Sequence, residues 1–439
     1  MKKSINIVTL GCSKNVVDSE HIAGQLSRSG YRVVFEGDDD QAGVVVVNTC
    51  GFIGDAKQES VDTILHYARA REEGRIERLF VIGCLSERYR DELRDELPEV
   101  DEFFGARDLS QVIEALTLDR SEGRGQPPGP AAMHMERLLS TPSHYAYLKI
   151  SEGCDRQCSF CAIPLIRGPH RSTPMEELFA EAETLAKQGV RELMVVAQDT
   201  TCYGVDLYGR RALADLLRGL CRIKGIEWVR LHYAYPAGFP RDVIEAMRDE
   251  PKICRYLDVP LQHIADSQLR AMSRSVDRKA TEQLLSELRS EIPDIAIRTT
   301  LMTGFPGETQ EDFAELVDFV RAARFERLGV FTYSEEEGTP AAALYRDDVP
   351  EEEKERRAGE IMRIQGEIVE GHNGRLVGRT VRVLIDGYEN GLYCGRTEWD
   401  SPEVDQEVLV RSGRKLRAGE FYDVTVTEAD SIGLHGVVG

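Results

Sequence analysis

Short apolar runs alternate with amphipathic stretches through most of this chain, and that alternation favours parallel sheets covered by helices. Ile5 to Leu10, Tyr31 to Phe35, Val44 to Val47 and Leu79 to Ile82 are the first strand-like runs. Between them stand three expected helices. One carries Ile22 and Leu26 on a single face, with Asp18 as its N-cap and Gly30 as its stop. Another is capped by Asp55 and carries Val61, Ile64, Leu65 and Ala68; the third is capped by Ser86 and carries Tyr89, Leu93 and Leu97. Residues 1–120 are therefore expected to form an open, parallel α/β layer.

The stretch Ser121 to Ala132, SEGRGQPPGPAA, has the Gly and Pro content of a linker and no apolar periodicity, and a linker is placed at 121–138. Six further strand-like runs follow: Tyr145 to Ile150, Leu193 to Ala197, Trp228 to Leu231, Leu257 to Val259, Ile295 to Met302 and Leu328 to Phe331. Six strand-helix units over residues 139–370 predict an incomplete parallel barrel of the (βα)6 type. Thr173, Pro174 and Glu176 have the spacing of a capping box, with Gly189 as the helix stop. A charged helix from about Glu351 to Glu370 leads into short, often alternating runs at Val381 to Ile385, Leu392 to Arg396, Glu407 to Val410, Tyr422 to Thr427 and Leu434 to Val438. Residues 371–439 are expected to close into a small antiparallel β-barrel. The acidic run Asp38 to Asp40 reads as a solvated turn.

No run of about 20 apolar residues is present, and MKKSINIVTLGC leads directly into a strand pattern. The expectation is a cytoplasmic protein with no membrane partner. In that reducing compartment ten cysteines read as metal ligands, redox groups or buried thiols, not as a disulfide frame. A formal charge of -21 disfavours loose attachment to nucleic acid or to an anionic membrane.

Three of those cysteines, Cys154, Cys158 and Cys161, lie in SEGCDRQCSFCAIP just after a predicted barrel strand, on the edge where barrel active sites form. Three thiolates on one short loop can hold three irons of a four-iron cluster and leave the fourth iron open to a ligand. The alternative is zinc, for which His170 is the only local fourth ligand. A second set, Cys12, Cys50 and Cys84, follows the strand runs in INIVTLGC, VVVVNTC and FVIGC. Strand C-termini of an open parallel sheet share one edge, so these three can also converge. Three buried inert thiols are the alternative for any one of them, but the shared structural phase favours a site. Gly11, Gly51 and Gly83 flank them and suit tight turns beside a bulky group.

CxxxCxxC after the first strand of a partial barrel resembles the radical S-adenosylmethionine superfamily. The resemblance implies that the amino and carboxylate groups of S-adenosylmethionine chelate the open iron, and that one-electron reduction cleaves the sulfonium to a 5'-deoxyadenosyl radical. With the second triad added, the whole chain resembles the methylthiotransferase family, whose members join a cysteine-bearing N-terminal domain, a radical barrel and a C-terminal TRAM-type barrel. The resemblance implies two [4Fe-4S] clusters, one of them carrying or supplying sulfur, and two molecules of S-adenosylmethionine, one as methyl donor and one as radical source. It implies an electron donor of flavodoxin type and leaves the sulfur donor open.

Within the family, TLGCSKNVVDSE, ISEGCDRQCSFCAIPLIRG, VPLQH, TGFPGET and GRTEWDSPEVDQ resemble the branch that modifies a ribosomal protein more than the branch that modifies a tRNA adenosine. This implies methylthiolation of the β-carbon of an aspartate in small-subunit ribosomal protein twelve. Residues 371–439 carry eight Lys and Arg against eleven Asp and Glu, which suits a basic protein partner better than tRNA phosphates. Stable nucleic-acid binding is not expected. One departure is RSTP, where a second basic residue close to Arg171 is expected in this branch.

Cofactor contacts are expected from Gln198 after the second barrel strand, Phe160 inside the cysteine loop, Arg171, and Gly304 and Glu308 of TGFPGET. Each has a plain structural alternative: loop ordering for Gln198, cover over the cluster for Phe160, a surface position for Arg171, a tight turn for Gly304 and Glu308. His263 is not assigned a catalytic role, because no general base easily abstracts a proton from an unactivated carbon. Cys202, Cys221, Cys254 and Cys394 lack partner spacing and read as ordinary thiols.

Overall fold

The computed structural model describes residues 4–37, 42–117 and 137–439. Most of the expected linker and the Asp38 to Asp40 turn lie outside the described residues. Five parallel strands, β1 (Ser4–Thr9), β2 (Arg32–Phe35), β3 (Val44–Thr49), β4 (Arg78–Gly83) and β5 (Glu102–Phe103), form the first sheet in the order β2-β1-β3-β4-β5. β3, VVVVNT, is buried at every position because helices cover both sheet faces. Helices α1 (Ser13–Arg28) and α4 (Leu109–Thr117) pack Ile22, Leu26, Val112 and Leu116 on one face. Helices α2 (Gly54–Glu72) and α3 (Cys84–Glu96) pack Ile64, Ala68 and Leu85 on the other. Strand order reverses between β1 and β3, and the crevice at such a reversal is where open α/β sheets bind ligands.

All three expected helix caps in this region are corrected. α1 starts directly after Cys12, so Asp18 lies inside the helix, where it is buried against Lys149 and Arg167. Tertiary ion pairing has claimed a carboxylate that local propensity would use as a cap. α2 starts at Gly54 with Asp55 in its first turn, and α3 starts at Cys84 with Ser86 inside it. Gly83 sets that last start at φ 100, where a Cβ would lie 2.5 Å from Asn48 Oδ1 and 2.6 Å from the Thr49 carbonyl oxygen.

The second sheet contains β6 (Tyr145–Lys149), β9 (Glu192–Val196), β10 (Trp228–Leu231), β11 (Ile253–Asp258), β12 (Ala296–Thr303) and β13 (Arg327–Thr332). A two-residue ribbon, β7 (Ser151–Glu152) with β8 (Arg171–Ser172), follows β6. The order β13-β12-β11-β10-β9-β6 is wholly parallel and does not close, as the six-unit pattern predicts. Leu148, Val195, Leu231, Leu257 and Leu301 lie beneath the outer helices. The helix Met175–Gln188 ends on Gly189 at φ 108, as expected, but its start is not a capping box. Pro174 is the N-cap, because Thr173 spends its backbone on the Ile150 carbonyl and on the Tyr203 hydroxyl.

The N-terminal body bridges the two free edges of this open barrel. On the β6 side, Glu20 of α1 pairs with Arg137 and accepts from Ser140, while Arg137 donates to Glu181 and to the Tyr147 carbonyl, both at 2.7 Å. On the β13 side, Arg88 and Lys57 reach Glu336 at 2.6 and 2.9 Å.

The helix Glu351–Gly374 packs Ile361, Ile364 and Ile368 into the barrel core and leads to β14 (Thr380–Glu389), β15 (Leu392–Arg396), β16 (Glu407–Ser412), β17 (Phe421–Ala429) and β18 (Gly433–Val438). These close into a barrel, with one parallel pair, β16 with β18, among otherwise antiparallel pairs. The segment 397–406 leaves it to enter the open barrel: Asp400 meets Arg327, Asp405 meets Arg298, and Ser401 meets His232. Asp386 likewise pairs with Arg396. Three of the eleven acidic residues of this region are thus turned onto arginines, so its acidic excess is not an outer surface, and the charge argument for a basic partner loses its force. Among the described residues no helix is long and apolar enough to cross a membrane.

Arg137→Met should leave Glu20 and Glu181 buried without their cation and lower the unfolding free energy by about 3–5 kcal/mol. The urea midpoint of the holoprotein checks this; an unchanged midpoint would show that the clamp adds nothing.

Candidate functional site

The strand ends of the first sheet bring Cys12, Cys50 and Cys84 together. Gly11 stands at φ +93, and a Cβ on it would lie 2.7 Å from Cys50 Cβ and 3.0 Å from its sulfur. A Cβ on Gly51 would lie 2.6 Å from the Leu85 nitrogen, just past Cys84. Asn15, in the first turn of α1, ties the three loops: its amide donates to the Leu10 and Thr49 carbonyls at 2.8 and 3.1 Å, and its oxygen accepts from Cys84 Sγ at 3.9 Å. Arg167 donates to the same oxygen at 2.5 Å, and its charge is felt by all three sulfurs.

Burial pushes the Cys50 thiol up to about 11, and charge on Cys12 and Cys84 adds to the rise. Cys84 rises for the same first reason. Burial opposes ionisation of Cys12 too, but Lys14 and Arg167, with backbone N–H groups at the start of α1, outweigh it and hold this thiol below its ordinary value.

Cys154, Cys158 and Cys161 occupy the loop between β7 and the short helix Ile163–Arg167. Gly153, at φ +75, lets the loop fold against residues 168 and 169, since a Cβ there would lie 2.1 Å from the Pro169 carbonyl oxygen. Burial drives Cys154 and Cys161 up to about 12; the Arg156 N–H, 3.4 Å from Cys154 Sγ, works against it. Cys158 Sγ accepts from Arg274 at 3.4 Å and lies 4.0 Å from the Tyr235 hydroxyl.

The two triads share a neighbourhood. Cys84 packs with Ala162 and Ile166, so the helix that begins beside Cys161 ends with Arg167 facing the other set. After β10, Tyr233 lies under Lys14, two residues from Cys12, and Tyr235 touches Cys158. Two residues of chain span at most about 7 Å, so the contact of Lys14, beside the first triad, and that of Cys158, in the second, fall on one short segment.

Among the described residues, no group of three or more His, Cys, Asp or Glu has the spacing of a single-ion site. His170 aims Nε2 at Ser172 Oγ, 3.0 Å away, and at Asp206, not at the cysteine loop. The donor set suits a larger, thiolate-held group better than one zinc ion.

Other residues singled out from sequence are placed as follows. Gln198 donates to Glu152 at 2.8 Å and keeps a buried, unpartnered Oε1. Phe160 packs with Met272, Phe305 and Tyr333. Arg171 is exposed on β8 at the rim of a groove of about 350 Å³, which Glu152 and Arg167 also line. Gly304 stands at φ +73 with the Lys354 side chain filling the place of its Cβ, which is tight packing. Both oxygens of Glu308 are committed, one to His263 at 3.0 Å and the other to the Gly304 N–H and Arg357, both at 2.6 Å. That geometry orders the turn and leaves no free acceptor there. Cys202 sits beside Arg156 and Asp199, whereas Cys221 and Cys254 are buried in the core. Lys14, Asn15, Arg167, Tyr233 and Tyr235 were not found from sequence. Tyr233 and Tyr235 follow a barrel strand, so the strand-end rule that located the cysteines was the available signal.

Residues 4–105 match the model described as uncharacterized protein family UPF0004, residues 148–320 the radical SAM superfamily, and residues 377–438 the TRAM domain. Ribosomal protein uS12 methylthiotransferase RimO of Flavobacterium psychrophilum is 52% identical over 437 residues, covering 99% of this chain and 98% of the relative. Its counterpart from Bacteroides thetaiotaomicron is 49% identical over 438 residues, covering 100% and 98%. Among solved structures, the radical S-adenosylmethionine methyltransferase TsrM of Kitasatospora setae, with cobalamin and a [4Fe-4S] cluster bound, shares the fold at TM-score 0.57 and 16% identity, over 78% of this chain and 74% of that one.

With Cys50 near 11 and Cys154 and Cys161 near 12, these groups are protonated at neutral pH, and metal loading must displace their protons. Raised pKa values make loading favoured by rising pH, by about tenfold per pH unit for each proton released. Iron retained against a chelator should therefore climb from about pH 6.5 to about pH 8.5, and a flat profile would speak against thiol ligation.

Proposed function

The chain belongs to the ribosomal protein uS12 methylthiotransferase family, RimO, and on that premise we propose that it adds a methylthio group to the β-carbon of an aspartate in ribosomal protein uS12. The observation that carries this reading is that Lys14, two residues from Cys12 of one triad, and Cys158 of the other both contact one short segment, Tyr233 to Tyr235, at the C-terminal rim of an open barrel. When bound, two [4Fe-4S] clusters and S-adenosylmethionine supply the sulfur, methyl, electron-transfer and radical chemistry that no side chain offers.

Cys12, Cys50 and Cys84 would hold one cluster and Cys154, Cys158 and Cys161 the other. The residues fit: each set offers three thiols, and Arg167 and Arg274 set positive charge beside groups that become anionic on ligation. Gln198 Oε1, buried without a partner, suits a hydrogen-bond donor of S-adenosylmethionine, and Phe160 gives apolar cover next to Cys161. The N-terminal body, clamped across both barrel edges, fixes the two triads relative to each other. His263 stays bound to Glu308 and takes no proton from substrate. The reductant is read as a flavodoxin-type protein, the compartment as the cytoplasm, and the domains as 1–120, 139–370 and 371–439.

Reconstituted enzyme given S-adenosylmethionine, a reductant and uS12 should add a methylthio group to one aspartate, seen by mass spectrometry. Cys50→Ala and Cys158→Ala should each abolish transfer while losing about half of the iron and sulfide, as expected if each triad holds its own cluster. Modification of tRNA in place of uS12, or loss of all iron from either variant, would reject the reading.

A further inference from the structure

Lys14 is a buried cation whose charge is favoured chiefly by Tyr233 and the Cys12 thiol, with no carboxylate paired to it among the described residues. The residue is only 7% exposed, and its Nζ stands 3.2 Å from the centroid of the Tyr233 ring. Among the described residues no carboxylate lies within ion-pair distance of that nitrogen; Asp258 acts on it only through space and is itself held by Arg298 and by the Tyr233 N–H. A buried ammonium normally has a partner, since losing water without one is costly.

The other cations on this rim are occupied. Arg167 and Lys149 share Asp18 and Glu152, Arg156 is held by Asp199, Arg298 by Asp258 and Asp405, and Arg274 by Cys158 and the Pro260 carbonyl. Lys14 meets the Tyr233 side chain and the charge of Cys12, which hold the cation in place and leave ammonium N–H groups to donate. Tyr233 is fixed beneath it in a left-handed backbone conformation, φ 54, with its carbonyl accepting from Thr200 and its N–H bound to Asp258. That is a strained position maintained by the surroundings, and such positions cluster at ligand sites.

The location indicates what those N–H groups can hold. Lys14 lies two residues from Cys12 and against the segment whose Tyr235 touches Cys158, between the two triads. Six ligating thiolates make both sides of that space electronegative, so an anionic substrate entering it needs a fixed positive charge. We propose that Lys14 is a substrate-binding residue that pairs with the side-chain carboxylate of the target aspartate and sets its β-carbon between the triads. The inference rests on the reading of the chain as an aspartate-modifying enzyme.

The test uses cluster-loaded holoenzyme and two substrate peptides that differ only in Asp or Asn at the target position. Wild type should favour the Asp peptide by about 10- to 100-fold in kcat/KM, the range of one charge-assisted hydrogen bond. Lys14→Met should lose most of that preference at unchanged iron content and visible absorption, with little effect on the Asn peptide, and Lys14→Arg should recover part of it. A Lys14→Met enzyme that still prefers Asp overturns the proposal. Loss of iron from both Lys14→Met and Lys14→Gln also overturns it, by assigning the lysine to the Cys12 loop. If wild type modifies neither the peptides nor uS12, the functional reading itself falls, and the proposal falls with it.

Discussion

The arrangement depends on one buried charge network. Asp18 and Glu152 stand between Lys149 and Arg167, and Arg167 reaches on to Asn15 and to the field of the three N-terminal cysteines. Burial would raise the Glu152 carboxyl, but Lys149 and Arg167 hold it at about 2, so this carboxylate is charged at any ordinary pH. Ions out of water are tolerated only where each meets its counter-ion in good geometry, and this geometry exists only when α1 is seated on the end of β6. Removing any member strands another. The same contacts that join the N-terminal sheet to the open barrel thus define how the two cysteine sets face each other.

An open barrel of six strands has two free edges and a hollow that a full barrel would fill with layers of apolar side chains. Here other parts of the chain do that work. Above, the N-terminal body reaches both edges, through Arg137 at one and through Glu336 at the other. Below, residues 397–406 bring Asp400 and Asp405 to Arg327 and Arg298, while Glu192 joins Arg230 to Arg396 at 2.7 Å on each side. The hollow is polar and paired, and what stays open is the rim where the cysteines lie. A rigid surround of this kind suits chemistry in which reactive groups must be held in place and kept from water.

Strand-end cysteines were legible from sequence because two simple periodicities place them. An all-apolar run marks a strand buried on both faces, and a parallel sheet puts every strand C-terminus on one edge, so Cys12, Cys50 and Cys84 are in phase before any coordinates exist. Glycines at 11, 51 and 83 were legible too, since each stands where a Cβ would strike a neighbouring loop. Caps were misread because Asp18 and Thr173 have local propensities that distant partners overrode.

The longer strands and the shared edge that carries the cysteines were determined by the sequence alone, since hydrophobic periodicity is a local property and the rules of parallel sheets turn it into position, whereas the two-residue strands β5, β7 and β8 are too short to show a period. Charge could not be read that way. Lys14, Asn15, Asp18 and Glu20 look like the solvent face of a helix, and residues 397–406 look like an acidic surface loop, yet all are spent inside the molecule or at its rim. Only the tertiary structure decides which charges are buried, because an ion's partner comes from across the fold at no fixed spacing, and its sign alone does not say whether it faces water, another side chain or a ligand.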